Sequence, residues 1–528
     1  MAAIVTSNFR TLNAKKLKQQ VSSSSVYVGI GKSDVWSLTT SDTTDTTPFT
    51  PADTLDQLGE ARANLIGLKK IVGTEISHVI PRYTWTSGNS YYAWDSDDAS
   101  IFDKAFYIIT SEFKVYKCIK AGGGASSIQP TQTLTDPTAE SDGYIWKYMY
   151  TTGVQDAENF LTNSYMPVKT ISLAAEAILA VSSSSSTTAI LTETVDEITI
   201  GMTVSGTNVS GTPVVQAING SVLTLSTAQT LTAADILTFA WASDADAEAQ
   251  LSEADYAQYL NQKASRDSST AAGIERIEVT AGGTGYTSAP TVTITGDGSG
   301  ATATATVVAG AVTVNNKGTN YRVVDLTFSG GGGSDAAARA VLAPKGGHGV
   351  DPVSELGGFF ISLNTKLDGN DGGDLTVGND FRQIMLLNKP RVYSTIAPLA
   401  GLVATADTLK ATNYVEIDTG NTTHNATDFS VDELIVGQTS GAQAYVVEKD
   451  TVNDYLRYHQ NDKTGYTAFT DAEDIVGQTS AKTATLDTPA VGNPEVDRSS
   501  GEVLFLENRD PISRTTTQIE DIKVIIEF

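Results

Sequence analysis

The decapeptide YVGIGKSDVW, residues 27–36, places Gly31, Lys32 and Ser33 behind an apolar run. These are the residue types of a loop that holds phosphate on successive backbone N–H groups, with a lysine reaching the terminal phosphates. That chemistry requires a glycine five positions before the glycine of Gly-Lys-Ser, and the residue there is Val26. It also requires a helix opening at Ser33, whereas Asp34, Val35, Trp36 and the Ser/Thr tract beyond read as a turn. Nucleotide binding is therefore not expected. The four histidines, His78, His348, His424 and His459, stand apart and form no metal-ligand spacing. In GDGSGA, Ser299 lacks the glycine two positions earlier that a nucleophile elbow needs, since Asp297 is there. The loop DGNDGGDLTVGND, residues 368–380, has the ingredients of a calcium loop, but Gly372 and Asn379 fall on the fifth and twelfth ligand positions. It reads as a turn-rich loop. Asp95, Asp97 and Asp98 read as a solvated acidic loop, and Cys118 in VYKCIK reads as a buried strand thiol. These patterns predict no catalytic residue, no cofactor and no metal site.

Such residues need elements to hold them, and the composition says which. The chain has 528 residues, 40% hydrophobic and 18% charged, enough for several hydrophobic cores. Its formal charge of -26 is spread along the sequence and repels phosphate backbones and anionic membrane surfaces, so neither nucleic acid nor membrane is an expected partner. No run approaches the ~18 apolar residues of a spanning helix, and the first residues lack the pattern of a secretory leader. One cysteine excludes an internal disulfide framework.

Forty-five glycines, abundant Ser and Thr, and alternating runs such as TVTIT and KVIIEF predict a mainly β, multi-domain chain with few helices, an α+β core carrying small sandwich- or barrel-like modules. The clearest predicted helix is TLDQLGEARANLIGLKKIV, where Leu55, Leu58, Ala61, Leu65, Leu68 and Val72 share a face and Thr54 with Gln57 suggests a capping box. A second is predicted over 246–264. Three stretches shift to Thr, Ser, Gly, Ala and Val and read as insertions: 179–241, 273–345 and 405–490. The second repeats GGTGYTSAP as KGTNYRVV, and the third repeats IVGQTS, with Phe429 and Phe469 in matching positions. A helical connector is predicted over 242–272.

With the insertions set aside, ordered motifs remain: AIVTSNFRT, YVGIGKSDVW, VIPRYTW, VYKCI, SDGYIWKYMY, FRQIMLLNKP and GEVLFLENRDPI. In that order they resemble the baseplate wedge subunit of T-even-like contractile-tailed bacteriophages, the gene product eight family. The residues carrying the match are Gly31, Lys32, Trp36, Pro81, Arg82, Trp85, Gly143, Tyr144, Trp146, Phe381, Arg382, Glu507, Asn508 and Arg509. The likeness covers 1–178, 346–404 and 491–528, a wedge core in three parts. It implies a non-enzymatic virion protein of the tail baseplate, a homodimer contacting other wedge subunits and transmitting the change that triggers sheath contraction. Within that pattern the Gly-Lys turn is structural, with Gly31 supplying the turn and Trp36 anchoring the loop. ENRDPI reads as a hairpin-like closure in which Arg509 makes an ion pair. The β modules also suit a receptor-binding adhesin, or less readily a polysaccharide-degrading tail enzyme.

Overall fold

The computed structural model describes residues 3–23, 25–37, 44–269, 272–307, 311–368, 375, 380–394, 401–420, 423–515 and 517–528. The chain is mainly β, with 42% strand, 14% helix and six helices among the described residues. It divides into two compact units, one of residues 1–19, 77–362 and 525–528, the other of 20–76 and 363–524. The loop considered above for calcium, 368–380, falls largely outside the described residues.

The second unit is built on a five-stranded antiparallel sheet in the order Thr408–Lys410, Leu65–Lys70, Val26–Gly31, Asp380–Asn388, Glu502–Ser513. Every residue of Val26–Gly31 is buried, as a central strand covered on both faces requires. Tyr27, Leu65, Leu68, Met385, Leu387 and Val496 belong to one of its hydrophobic cores. The predicted helix over 54–72 stops early: it spans only Leu55–Ala63, and Leu65–Lys70 is a strand. The apolar residues after Asn64 satisfy both periods, and pairing with Val26–Gly31 offers burial that an isolated surface helix cannot. Thr54 does cap the helix through Gln57 N, but the Gln57 side chain accepts from Ala52 N instead of closing a capping box on Thr54.

The same unit contains a closed six-stranded barrel, running Asn413–Ile417, Tyr455–His459, Gln443–Asp450, Leu434–Gly437, Asp474–Gly477, Thr483–Gly492 and back to the first strand. The repeated sequence halves fill it in matched pairs: Phe429 with Phe469, Ile435 with Ile475, Ala444 with Ala484, Val446 with Leu486. The halves also lock each other. Glu433 accepts from Thr479 N, Ser480 N and Ser480 Oγ at 2.9–3.1 Å, while Glu473 accepts from Thr439 N, Ser440 N and Ser440 Oγ at 2.8–3.0 Å.

The first unit holds an antiparallel sheet of Tyr107–Ile109, Lys114–Lys120, Ile145–Thr151 and Thr138–Ala139. Two three-stranded sheets follow, Ser183–Ile190 with Val222–Leu231 and Val215–Asn219, and Thr203–Gly206 with Ile236–Ala240 and Ala174–Ile178. Leu191, Met202, Leu223, Leu237 and Phe239 fill the core these sheets share. Helices Asp244–Gln250 and Glu253–Ser268 come next, broken at Leu251, because Ser252 caps the second through Asp255 N. Three two-stranded ribbons follow: Ile274–Thr284 with Ser334–Leu342, Thr291–Gly296 with Val324–Ser329, and Thr302–Ala305 with Val312–Asn316. Their repeated tyrosines, Tyr286 and Tyr321, lie in glycine-lined niches; a Cβ at Gly333 would stand 2.5 Å from Tyr286, and one at Gly298 2.5 Å from Tyr321.

Candidate functional site

The residues that carried the resemblance gather in two places, one in each unit. In the second unit the chain leaves Val26–Gly31 and turns back at Lys32, whose φ is 59°. The sequence reading gave that turn to Gly31, but the left-handed residue is Lys32. Gly31 is required for a different reason: a Cβ there would meet Asn64 O at 2.7 Å, where Lys32 N donates to the same oxygen at 3.0 Å.

Beyond the turn lies a buried ionic knot centred on Asp34. Lys32 Nζ donates to Asp34 Oδ2 at 3.1 Å, and Lys463 Nζ lies 2.7 Å from the same oxygen. Asp34 Oδ1 receives His459 Nε2 at 3.3 Å and Asn461 Nδ2 at 3.1 Å. Burial alone would raise the Asp34 pKa, but the His459 hydrogen bond and the two lysines hold the carboxyl well below its usual range. Burial likewise pulls His459 below the ordinary imidazole value against the opposing pull of Asp34, and its Nε2 faces Asp34 while its Nδ1 lies 3.5 Å from Ser33 Oγ. From Asn461 a chain of amides runs on: Asn461 to Asn64 at 3.1 Å, Asn64 to Gln383 at 3.2 Å, Gln383 to Asn508 at 2.9 Å.

Trp36 is fixed from three sides. Its Nε1 donates to Arg509 O at 2.8 Å, its backbone N donates to Asp45 Oδ1 at 2.9 Å, and its ring meets Phe49 edge-on at 5.4 Å. Arg382 grips Asp45 bidentately, 2.8 Å on each bond, reaches Asp380 at 3.0 Å, and donates to Ser33 O. Its neighbour Phe381 is fully buried. The Asp510-Pro511 step is not a turn, contrary to the sequence reading: Glu502–Ser513 is one edge strand. Residues 509–511 bulge from it, because Phe381 pairs Ile512 while Gln383 pairs Asn508. An edge position tolerates the missing proline N–H. The expected Arg509 ion pair reduces to a 4.0 Å approach to Glu507 between half-exposed side chains, and what Arg509 supplies to the knot is its carbonyl.

Ser33, His459 and Asp34 lie in the order of a nucleophile relay. Yet Ser33 Oγ is at the outer limit of a hydrogen bond, and Ser33 and His459 are 3% and 0% exposed. The adjoining cavity of about 390 Å³ is lined by Lys32, Trp36, Glu60, Gln383, Lys463 and Asn508, but by none of the three relay residues. Arg382 donates to Ser33 O and Lys463 Nζ to Val35 O, so the arrangement holds backbone in place.

The first unit gathers the other motif residues. Tyr144 and Trp146 stack at 5.6 Å with an 11° interplanar angle, and Tyr91 meets Trp146 edge-on at 5.7 Å. Gly143, at φ 89°, lets Asp142 turn back to accept from Ser127 N at 2.9 Å and Ile128 N at 3.1 Å. Trp85 Nε1 donates to Ser126 Oγ at 3.2 Å, in the same hydrophobic cluster as Tyr144 and Trp146. Pro81 O accepts from Tyr107 OH at 2.9 Å, and Arg82 Nη1 donates to Thr162 O at 2.8 Å. Among the described residues no group of three His, Cys, Asp or Glu side chains has the geometry to hold a metal ion.

Sequence reasoning missed Asp34, Asn64, His459, Asn461 and Lys463. One signal was available: HQNDK, residues 459–463, is a dense polar run between the two repeats of a segment otherwise rich in Thr, Ser and Gly. No protein-family model matches this chain. In an alignment 202 positions long that covers 31% of this chain, it is 25% identical to baseplate wedge protein gp8 of Enterobacteria phage T4, and the match spans 60% of that protein.

Proposed function

We propose that this chain is a structural component of a phage tail baseplate: a wedge subunit that pairs with a second copy of itself, joins other wedge proteins and passes on the rearrangement that triggers sheath contraction. The supporting observation is where the motif residues go. Lys32, Trp36, Arg382, Asn508 and Arg509 in one unit, and Pro81, Arg82, Trp85, Gly143, Tyr144 and Trp146 in the other, are used to pin loops to sheets. A part that switches between discrete packed states needs rigid bodies with large complementary surfaces, and buried ionic and aromatic anchoring supplies the rigidity. On this reading 1–178, 346–404 and 491–528 make the wedge core, 242–272 is a helical connector, and 179–241, 273–345 and 405–490 are modules added to it. The similarity to the T4 wedge protein supports the same assignment.

Cryo-electron microscopy of the intact virion tests this. Two copies of the chain in each baseplate wedge are expected. Density only at fibre tips, or none in the particle, would overturn the assignment and favour an adhesin.

A further inference from the structure

The unit containing residues 77–362 has a cavity of about 350 Å³ whose lining includes Lys147, Ser265, His348, Glu275, Asn316 and Lys317. Its volume falls at the lower end of small-ligand sites. Lys147 is 2% exposed, and its ammonium donates only to Tyr148 O, at 3.0 Å. Among the described residues no carboxylate lies within ion-pair distance of it. Asp136, which also lines the cavity, stands beyond ion-pair distance of Lys147, and the other neighbouring carboxylates are committed. Glu355 is taken by the fully buried Lys117 at 2.9 Å and by the backbone N–H groups of Gly349, Val350 and Asp351. Glu275 is taken by Lys317 at 2.7 Å.

Beside this cation, which no carboxylate among the described residues contacts directly, are two more buried polar groups. Among the described residues Ser265 Oγ has no hydrogen-bond partner, and neither does either ring nitrogen of His348, whose side chain is 7% exposed and whose nearest carboxylates, Glu275 and Glu355, are 3.6 and 3.9 Å away. Gly349 keeps the space between them open: a Cβ there would stand 3.1 Å from Lys147 Nζ and 3.2 Å from Ser265 Oγ. Burial draws the Lys147 pKa down to about 8, against the raising influence of Glu355 and Asp136. A buried ammonium, a hydroxyl and an imidazole facing one cavity with unused hydrogen-bonding capacity are costly unless something occupies it.

We propose that this cavity is a binding site for a small oxyanion of the phosphate or carboxylate class, held by Lys147 Nζ, Ser265 Oγ and His348. An oxyanion supplies a counter-charge in direct contact with Lys147 and several acceptor oxygens in different directions, which a chloride ion does not.

The full chain would be titrated with sodium phosphate and with sodium acetate at ionic strength held constant with sodium chloride, following thermal unfolding and heat of binding. A saturable rise in Tm with at least one oxyanion, absent in Lys147→Met and weakened at least several-fold in Ser265→Ala, is expected. A stronger response to phosphate marks a tetrahedral ligand, and one to acetate a planar carboxylate. No response beyond that of chloride, or equal responses of wild type and Lys147→Met, would overturn the proposal. Should Lys147→Met fail to fold, a high-resolution map of the wild-type chain at saturating phosphate and acetate decides: an oxyanion on Lys147 supports the site, and water alone overturns it.

Discussion

Asp34 receives two ammonium groups, an imidazole and an amide on one carboxylate. Replacing it with asparagine keeps the shape but leaves Lys32 and Lys463 buried without a counter-charge, which costs roughly 3–5 kcal/mol. The pH dependence follows from the direction of its shift. The folded pKa lies below the ordinary carboxylate value of 3.8, so the stabilisation is fully present above 3.8 and is lost only as pH falls through the lower, folded value. Denaturant unfolding of wild type and Asp34→Asn should therefore differ by a constant amount from pH 4 to pH 7 and converge only under stronger acid. Convergence already near pH 6 would place the dominant titration elsewhere. Only part of this knot was legible in the sequence. Lys32 and Trp36 stood in a recognisable motif, but Asp34 was read only as part of a turn, and His459, Asn461 and Lys463 lie over four hundred positions away, brought back by barrel closure that no local pattern encodes.

Among the elements, the barrel was the more readable and the sheet the less. Repeated IVGQTS runs and matched phenylalanines announce a duplicated unit, and the paired core residues carry that repeat into three dimensions. By contrast, LIGLKK was drawn into a predicted helix because its leucines also fit a 3.6-residue period, and sheet pairing overrode the pattern. Ser7–Ser23 gave no helical signal because its pattern is weak: Ala14 and Val21 are buried while Phe9 and Leu12 are 55% and 51% exposed. The barrel's repeat also has an energetic consequence that the sequence does not display. Glu433 and Glu473 each cap the Thr-Ser turn of the opposite half, and both are nearly fully buried. For Glu473, burial would raise the pKa, and hydrogen bonds led by Ser440 N outweigh it and lower it. Glu433→Ala and Glu473→Ala should each destabilise the barrel by about 2–4 kcal/mol, since each strands three backbone donors, Ser430 N and Thr470 N among them, and a hydroxyl. Near-equal losses in equilibrium unfolding are expected. A loss below about 0.5 kcal/mol for either would show that water satisfies the turns as well as the carboxylate does.

At the scale of the whole chain, the two β segments with closed cores are attached in the same way but bear different relations to their surroundings. The strands entering and leaving each one are paired, Ala174 with Ala240 in one and Tyr414 with Gly492 in the other, so a short linker can bridge either gap. The core of the first draws on residues 175–241 alone. Replacing residues 174–240 with a Gly-Ser linker should leave the Tm of the remaining transition within a few degrees of wild type. The barrel instead sends His459, Asn461 and Lys463 into the Asp34 knot beside Val26–Gly31. Excising 413–492 removes three of the four groups on that carboxylate and uncovers the strand's neighbours, so amide hydrogen exchange across Val26–Gly31 should accelerate by at least tenfold. Adding Lys32→Met and Asp34→Leu to the barrel-less chain separates two causes, because apolar replacement of a buried pair is neutral or stabilising when the pair itself was the burden. Recovery of slow exchange would assign the loss to the exposed ionic knot. Continued fast exchange would assign it to packing lost with the barrel, and unchanged exchange in the simple deletion would show that the sheet stands without the barrel.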